Sequence, residues 1–142
     1  MSVLVIIPAR FASSRSPGKP LVPLTGATGE ARSLVERAWH AARAVRGVDR
    51  VIIATDDARI RNAAQAFGAE VVMTAESCAN GTERCADALH RLGGEFDIVV
   101  NLQGDAPLTP AWFVEGIVTA LVQDPTAQMA TPVLRCDGAA LN

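Results

Sequence analysis

Val3-Leu4-Val5-Ile6-Ile7-Pro8 runs straight into Ala9-Arg10-Phe11-Ala12-Ser13-Ser14-Arg15-Ser16-Pro17-Gly18-Lys19-Pro20-Leu21. The first six residues are apolar and do not alternate with polar ones. Such a run reads as a strand buried on both faces, the pattern of a parallel sheet. Residues 9–21 read as a long loop, not the tight glycine turn of a dinucleotide-binding fold. The loop also lacks the GxxxxGK[ST] spacing of a Walker A motif. Small residues let its backbone approach a ligand, and successive N–H groups suit phosphate oxygens. Arg10 and Arg15 bring planar guanidinium forks and Lys19 a compact ammonium, a set suited to a polyphosphate. A solvated basic loop is the plainer alternative, and at this point it stays open.

Four more apolar runs lie further along: residues 51–55 (VIIAT), 70–73 (EVVM), 98–102 (IVVNL) and 129–134 (MATPVL). Helical periodicity fills the gaps. Residues 33–45 place Leu34, Val35, Ala38, Trp39, Ala42 and Val45 near 3.6-residue spacing. Asp56 or Asp57 caps a helix that runs to Ala66 and closes at Phe67-Gly68. Residues 80–92 place Cys85, Ala86, Leu89 and Leu92 on one face and end at Gly93-Gly94. Pro110 opens a helix that stops before Pro125. Alternating strands and helices predict right-handed crossovers and an α/β fold: a doubly wound, mainly parallel sheet with Rossmann-like nucleotide-binding topology. No repeat, low-complexity tract or linker divides the chain, so residues 1–142 read as one nucleotide-binding α/β domain. No helix comes after the fifth run to cover it. The domain is therefore expected to be partial, truncated at its C-terminal end.

Composition narrows the function. With 49% hydrophobic residues the chain can build a core, and its net charge of −2 argues against a nucleic-acid partner. Residues 1–9 are apolar but too short to span a bilayer and lack the basic start of a signal peptide, so no membrane insertion and a cytoplasmic location are expected. Cys78, Cys85 and Cys136 are odd in number and lack CxxC spacing, which points to reduced fillers instead of disulfides or a zinc site. His40 and His90 fall on predicted helices, and no nucleophilic triad is suggested.

Ligands of an open parallel sheet bind beyond the carboxyl ends of its strands, and three further segments fall there. Thr55-Asp56-Asp57 could hold a metal but is more simply a helix cap. In Asn80-Gly81-Thr82-Glu83-Arg84, Asn80 and Glu83 have capping-box spacing. Asn80 and Thr82 could equally read a pyrimidine edge from a helix N-terminus. In Asn101-Leu102-Gln103-Gly104-Asp105-Ala106-Pro107, a buried strand delivers an acid where a metal–phosphate complex would sit, since magnesium is commonly held by one or two carboxylates plus substrate phosphates. An ordinary turn is the alternative.

IIPARFASSRSPGKPL, ATDD, NGTER and NLQGDAPL, taken in order, resemble the signatures of the 3-deoxy-manno-octulosonate cytidylyltransferases, also called CMP-Kdo synthetases. The resemblance covers the whole chain, a little over half of the family's usual length. It implies a fold of the nucleotide-diphospho-sugar transferase type. It also implies transfer of CMP from CTP to the anomeric hydroxyl of an acidic sugar, with release of pyrophosphate, for lipopolysaccharide or capsule precursors. By the same resemblance Pro8, Ala9 and Arg10 line the nucleotide site, and Arg10, Arg15 and Lys19 meet the triphosphate. Asn80, Gly81 and Thr82 lie near the cytosine, Gln103 lies near nucleotide or sugar, and Asp105 holds Mg²⁺. Arg10, Lys19 and Asp105 are the implied catalytic residues. A second metal-binding Asp, most of the sugar pocket and the segment forming a homodimer are implied to lie past Asn142, so this chain alone is expected to be inactive or nearly so. Three departures stand out: Asn80 replaces the usual Ser, Ala106 replaces the usual Glu, and residues 25–32 outrun the family's short turn. They keep two alternatives open: an enzyme for another acidic sugar, or an inactive nucleotide-binding module.

Overall fold

In a computed structural model of the chain, every residue is described except 13, 14, 134, 136, 137 and 142. The centre is β1 (Val3–Pro8), whose six residues are all buried. It pairs in parallel with β4 (Arg50–Thr55) on one side and β6 (Ile98–Asn101) on the other. Beyond β4 lies β5 (Glu70–Met73), also parallel, giving the order β5-β4-β1-β6. The absence of alternation in residues 3–8 results from this central position, because both faces of β1 are covered. Val3, Val5 and Ile7 point into a core shared with α1 (Leu34–Arg43), α2 (Ala58–Ala66) and α4 (Ala111–Gln123). Leu4 and Ile6 point the other way, onto Cys85 and Ala88 of α3 (Gly81–Leu92). Each large apolar side chain so buried contributes about 1.5–3 kcal/mol. The doubly wound, mainly parallel α/β fold expected from sequence is the fold observed.

Local chemistry sets the helix starts. Ser33 Oγ accepts from Glu36 N at 3.3 Å, Asp57 Oδ1 from Arg59 N at 2.8 Å, and Asn80 Oδ1 from Glu83 N at 2.9 Å. Each side chain satisfies one of the first-turn N–H groups that a helix leaves unpaired. α4 is preceded by Pro110 at its N-cap, which offers no such side-chain bond.

Two parts depart from the sequence expectation. Residues 25–32 do not simply lengthen a loop: β2 (Pro23–Thr25) and β3 (Ala31–Ser33) form an antiparallel hairpin, and α1 starts directly after it. Arg37 of α1 holds the hairpin by donating to Leu24 O at 2.6 Å and Glu30 O at 3.0 Å. The fifth strand expected over residues 129–134 is not found. Residues 129–133 have no regular structure, Met129 and Val133 are exposed, and Leu134 lies outside the described residues. Pro132 lacks the N–H that a ladder needs and is confined to edges or bulges.

The chain steps from β1 to β4 to β5 on one side and then crosses to β6 on the other. The strand order therefore reverses at the β1–β6 boundary, the place where open α/β sheets hold their ligands.

Candidate active site

A cleft of about 340 Å³ opens at the carboxyl ends of β1 and β6. Its walls come from four stretches distant in sequence: Pro8, Ala9 and Arg10 after β1; Lys19 and Pro20 from a short 3-10 turn; Asn80 and Gly81 at the start of α3; and Gln103, Gly104 and Asp105 after β6. Eight of the ten site residues expected from sequence meet here. Arg15 and Thr82 are exposed and do not line the cleft.

The floor is rigid. Ala9 N–H donates to Ala54 O at 2.9 Å and Leu102 N–H to Ile6 O at 3.0 Å, so both walls continue the sheet's ladder past the strands. Gly104 sits between them, where an added Cβ would lie 2.8 Å from Pro8 O. Real Cβ atoms do not approach a carbonyl oxygen so closely, so only glycine lets the turn after β6 lie against the end of β1. Gln103 is oriented by its Nε2–H donating to Asn101 Oδ1 at 2.9 Å. Its amide faces Gly81, where a Cβ would come within 3.0 Å of Gln103 Oε1.

Charge is concentrated across the cleft. Lys19 Nζ lies 3.3 Å from Asp105 Oδ2, and both side chains are about half exposed, 49% and 56%. In that setting water screens the pair, which adds little to stability but sets an ammonium and a carboxylate side by side on the lining of the cleft. Arg10 supplies a second exposed cation to the same wall.

The start of α3 both caps and lines the site. Asn80 spends its side-chain oxygen on Glu83 N–H, and Glu83 Oε2 reaches back to Ala79 N–H at 2.7 Å. The reciprocal bond thus lands one residue before Asn80, not on Asn80 itself. The amide NH2 of Asn80 remains to donate to a ligand acceptor.

Arg84 is a charged cleft residue to which the sequence assigned no role. It is 3% exposed and donates through Nη1 to Thr74 Oγ1 at 2.6 Å and Ala75 O at 3.3 Å, with Asp56 Oδ1 at 3.9 Å. The buried face of α3 is therefore Arg84, Cys85 and Ala88, while Ala86 is exposed. The signal was Asp56 of the TDD turn, whose partner a local pattern could not supply. Asp57 of the same turn caps α2, and its hydrogen bonds from Arg59 hold its carboxyl down at about 2. Neither acid lines the cleft.

Cys78 lines the cleft as a half-buried free thiol, whereas burial pushes the Cys85 thiol up to about 12. Cys136 lies outside the described residues. His40 and His90 sit on α1 and α3, and neither lines the cleft. Among the described residues no helix is long and apolar enough to cross a membrane.

A family model described as cytidylyltransferase matches residues 4–140. The chain is 53% identical over 134 residues to the 3-deoxy-manno-octulosonate cytidylyltransferase of Maricaulis maris, covering 94% of this chain and 50% of that protein. It is 42% identical over 126 residues to the 8-amino-3,8-dideoxy-manno-octulosonate cytidylyltransferase of Shewanella loihica, covering 88% and 49%. A solved structure of CMP:2-keto-3-deoxy-manno-octonic acid synthetase complexed with CTP superposes with a TM-score of 0.81 at 37% identity, covering 89% of this chain and 49% of that one. The chain spans about half the length of these relatives. It belongs to the cytidylyltransferase family.

Proposed function

From that membership we propose that residues 1–142 form the CTP-binding portion of a 3-deoxy-manno-octulosonate cytidylyltransferase. In this reading CMP passes from CTP to the anomeric hydroxyl of the acidic sugar, and pyrophosphate leaves. The observation that carries it is the contacting Lys19–Asp105 pair in a cleft that Arg10, Asn80 and Gln103 also line.

Phosphoryl-type transfer needs positioning and charge stabilisation more than protein nucleophiles. Lys19 and Arg10 take the triphosphate oxygens, Arg10 through its planar fork and Lys19 as a point charge. Lys19 exchanges Asp105 for phosphate when the nucleotide enters. Asn80, with its oxygen engaged in the cap, donates its NH2 to the acceptor edge of cytosine. Gln103, braced by Asn101, contacts nucleotide or sugar. The transition state gathers charge on the leaving pyrophosphate, where pre-set cations are worth most.

Among the described residues Asp105 is the one carboxylate lining the cleft, and no cluster of three or more His, Cys, Asp or Glu side chains could cage a metal. That donor set fits Mg²⁺ shared between one carboxylate and the nucleotide phosphates. Such an ion would neutralise phosphate charge and polarise the bond to the leaving group.

The relative named for an 8-amino-3,8-dideoxy sugar favours a second reading of the acceptor alone, with the CTP site unchanged. The test of the nucleotide reading is a thermal-shift comparison in Mg²⁺. CTP is expected to raise the midpoint well above UTP, GTP and ATP, because a ligand at a hundred times its Kd stabilises by about 2.7 kcal/mol. Equal shifts with all four nucleotides would overturn it.

A further inference from the structure

The basic loop that supplies Arg10 and Lys19 has a neck, and the neck is built on one aromatic ring. Gly18 N–H donates to Phe11 O at 2.9 Å, which brings the two ends of the loop together. Gly18 has φ +73°, and a Cβ there would lie 3.0 Å from Phe11 Cε2 and 3.1 Å from Cζ. The glycine therefore lies directly against the ring. Arg59 of α2 also packs on it, with its guanidinium carbon 3.3 Å from the ring centroid. That guanidinium is aimed by Asp57, which accepts from Arg59 Nε at 3.0 Å and from Nη2 at 2.8 Å. Arg10 immediately precedes Phe11 and Lys19 immediately follows Gly18, so these two exposed cations of the cleft leave from the two sides of this contact.

We propose that Arg59 is a positioning residue: seated on Phe11 and held by Asp57, it fixes the neck from which Arg10 and Lys19 reach the ligand. The inference rests on the nucleotide-binding reading above. Arg59 and Asp57 do not line the cleft, so their effect passes through the ring and not through ligand contact. A cation over a ring face is attracted by the ring quadrupole, and the attraction strengthens when water is excluded. Asp57 neutralises Arg59, so this cation orders the loop without adding net charge beside the phosphates. A helix-capping pair with incidental ring contact would instead leave the loop indifferent to Arg59.

Three readouts on the 142-residue protein separate these cases: hydrogen exchange at the Gly18 amide, CTP affinity by titration calorimetry, and thermal midpoint. Arg59→Ala is expected to speed Gly18 exchange and raise the CTP Kd about threefold to tenfold, with little change in midpoint. Arg59→Lys keeps a cation over the ring and is expected to restore most of both losses. Phe11→Leu keeps an apolar side chain but no π face, and is expected to reproduce Arg59→Ala. Combining Phe11→Leu with Arg59→Ala should then add nothing, the mark of two residues acting through one contact. Wild-type Gly18 exchange and CTP affinity in Arg59→Ala would overturn the proposal, as would independent, additive losses in the double variant. A wild-type protein that bound no CTP would sink the nucleotide reading, and Gly18 exchange would still decide whether Arg59 holds the neck.

Discussion

Two strands end in acidic turns at the same edge of the sheet, and the turns use their acids differently. After β4, Asp57 caps α2 and binds Arg59, while Asp56 faces the buried guanidinium of Arg84. After β6, Asp105 stands half exposed in the cleft, opposite Lys19. Residue type and position in the fold are shared, so neither decides the role. The decisive difference is the neighbourhood. The β4 turn is met by a helix start and a buried arginine, whereas the β6 turn is met by an open cleft and an exposed lysine.

The contrast predicts stability effects at one turn and ligand effects at the other. The largest is expected from Arg84→Ala, which strips Thr74 and Asp56 of their buried partner and should cost about 3 kcal/mol of folding stability in denaturant titrations. A loss below about 1 kcal/mol would show that Arg84 acts like a surface ion pair, and the contrast would fail. Next comes Lys19→Ala, expected to weaken CTP binding by about 2 kcal/mol, near thirtyfold, with the unfolding midpoint unchanged. Its partner variant Asp105→Asn should remove the dependence of CTP affinity on Mg²⁺; an intact dependence would take Asp105 out of the metal reading. Asp57→Ala should cost about 1 kcal/mol of stability through the lost cap and only a few-fold in CTP affinity. The smallest effect is on pH dependence. Arg59 depresses the folded carboxyl of Asp57 to about 2, so its stabilisation is complete above the unfolded value near 4 and fades as pH falls toward 2. Asp57→Asn keeps the cap and should flatten that part of the acid-unfolding curve. An unaltered curve would remove the Asp57–Arg59 pair from the acid response.

Much of the fold was legible because burial is written in residue type. The unbroken VLVIIP run marked a strand covered on both faces, and all six apolar positions read on the first helix, Leu34 to Val45, are buried. The caps were legible because an N-cap bond spans only a few residues, as at Asn80 and Glu83. What escaped depends on partners far along the chain. The β2–β3 hairpin has three-residue strands and is held by Arg37 from the following helix. Arg84 was absent from the apolar face read for residues 80–92, and its burial depends on Thr74 and Asp56, which come from other elements. Residues 129–133 have the apolar composition of a strand, but the missing N–H of Pro132 outweighs it.

In the cleft the legible part was which segments meet, since strand ends converge in any parallel sheet. How each side chain is braced was not legible. Gln103 takes its orientation from Asn101, and Phe11 takes its cation from α2.

Gly104 carries a consequence for how such a site can be redesigned. Because its backbone lies against Pro8 O, the two walls of the cleft form a single unit with a fixed spacing. A library selected for a different nucleotide base should return glycine at this position every time. Variation should gather at Asn80 and Gln103, whose side chains can change without moving the walls apart.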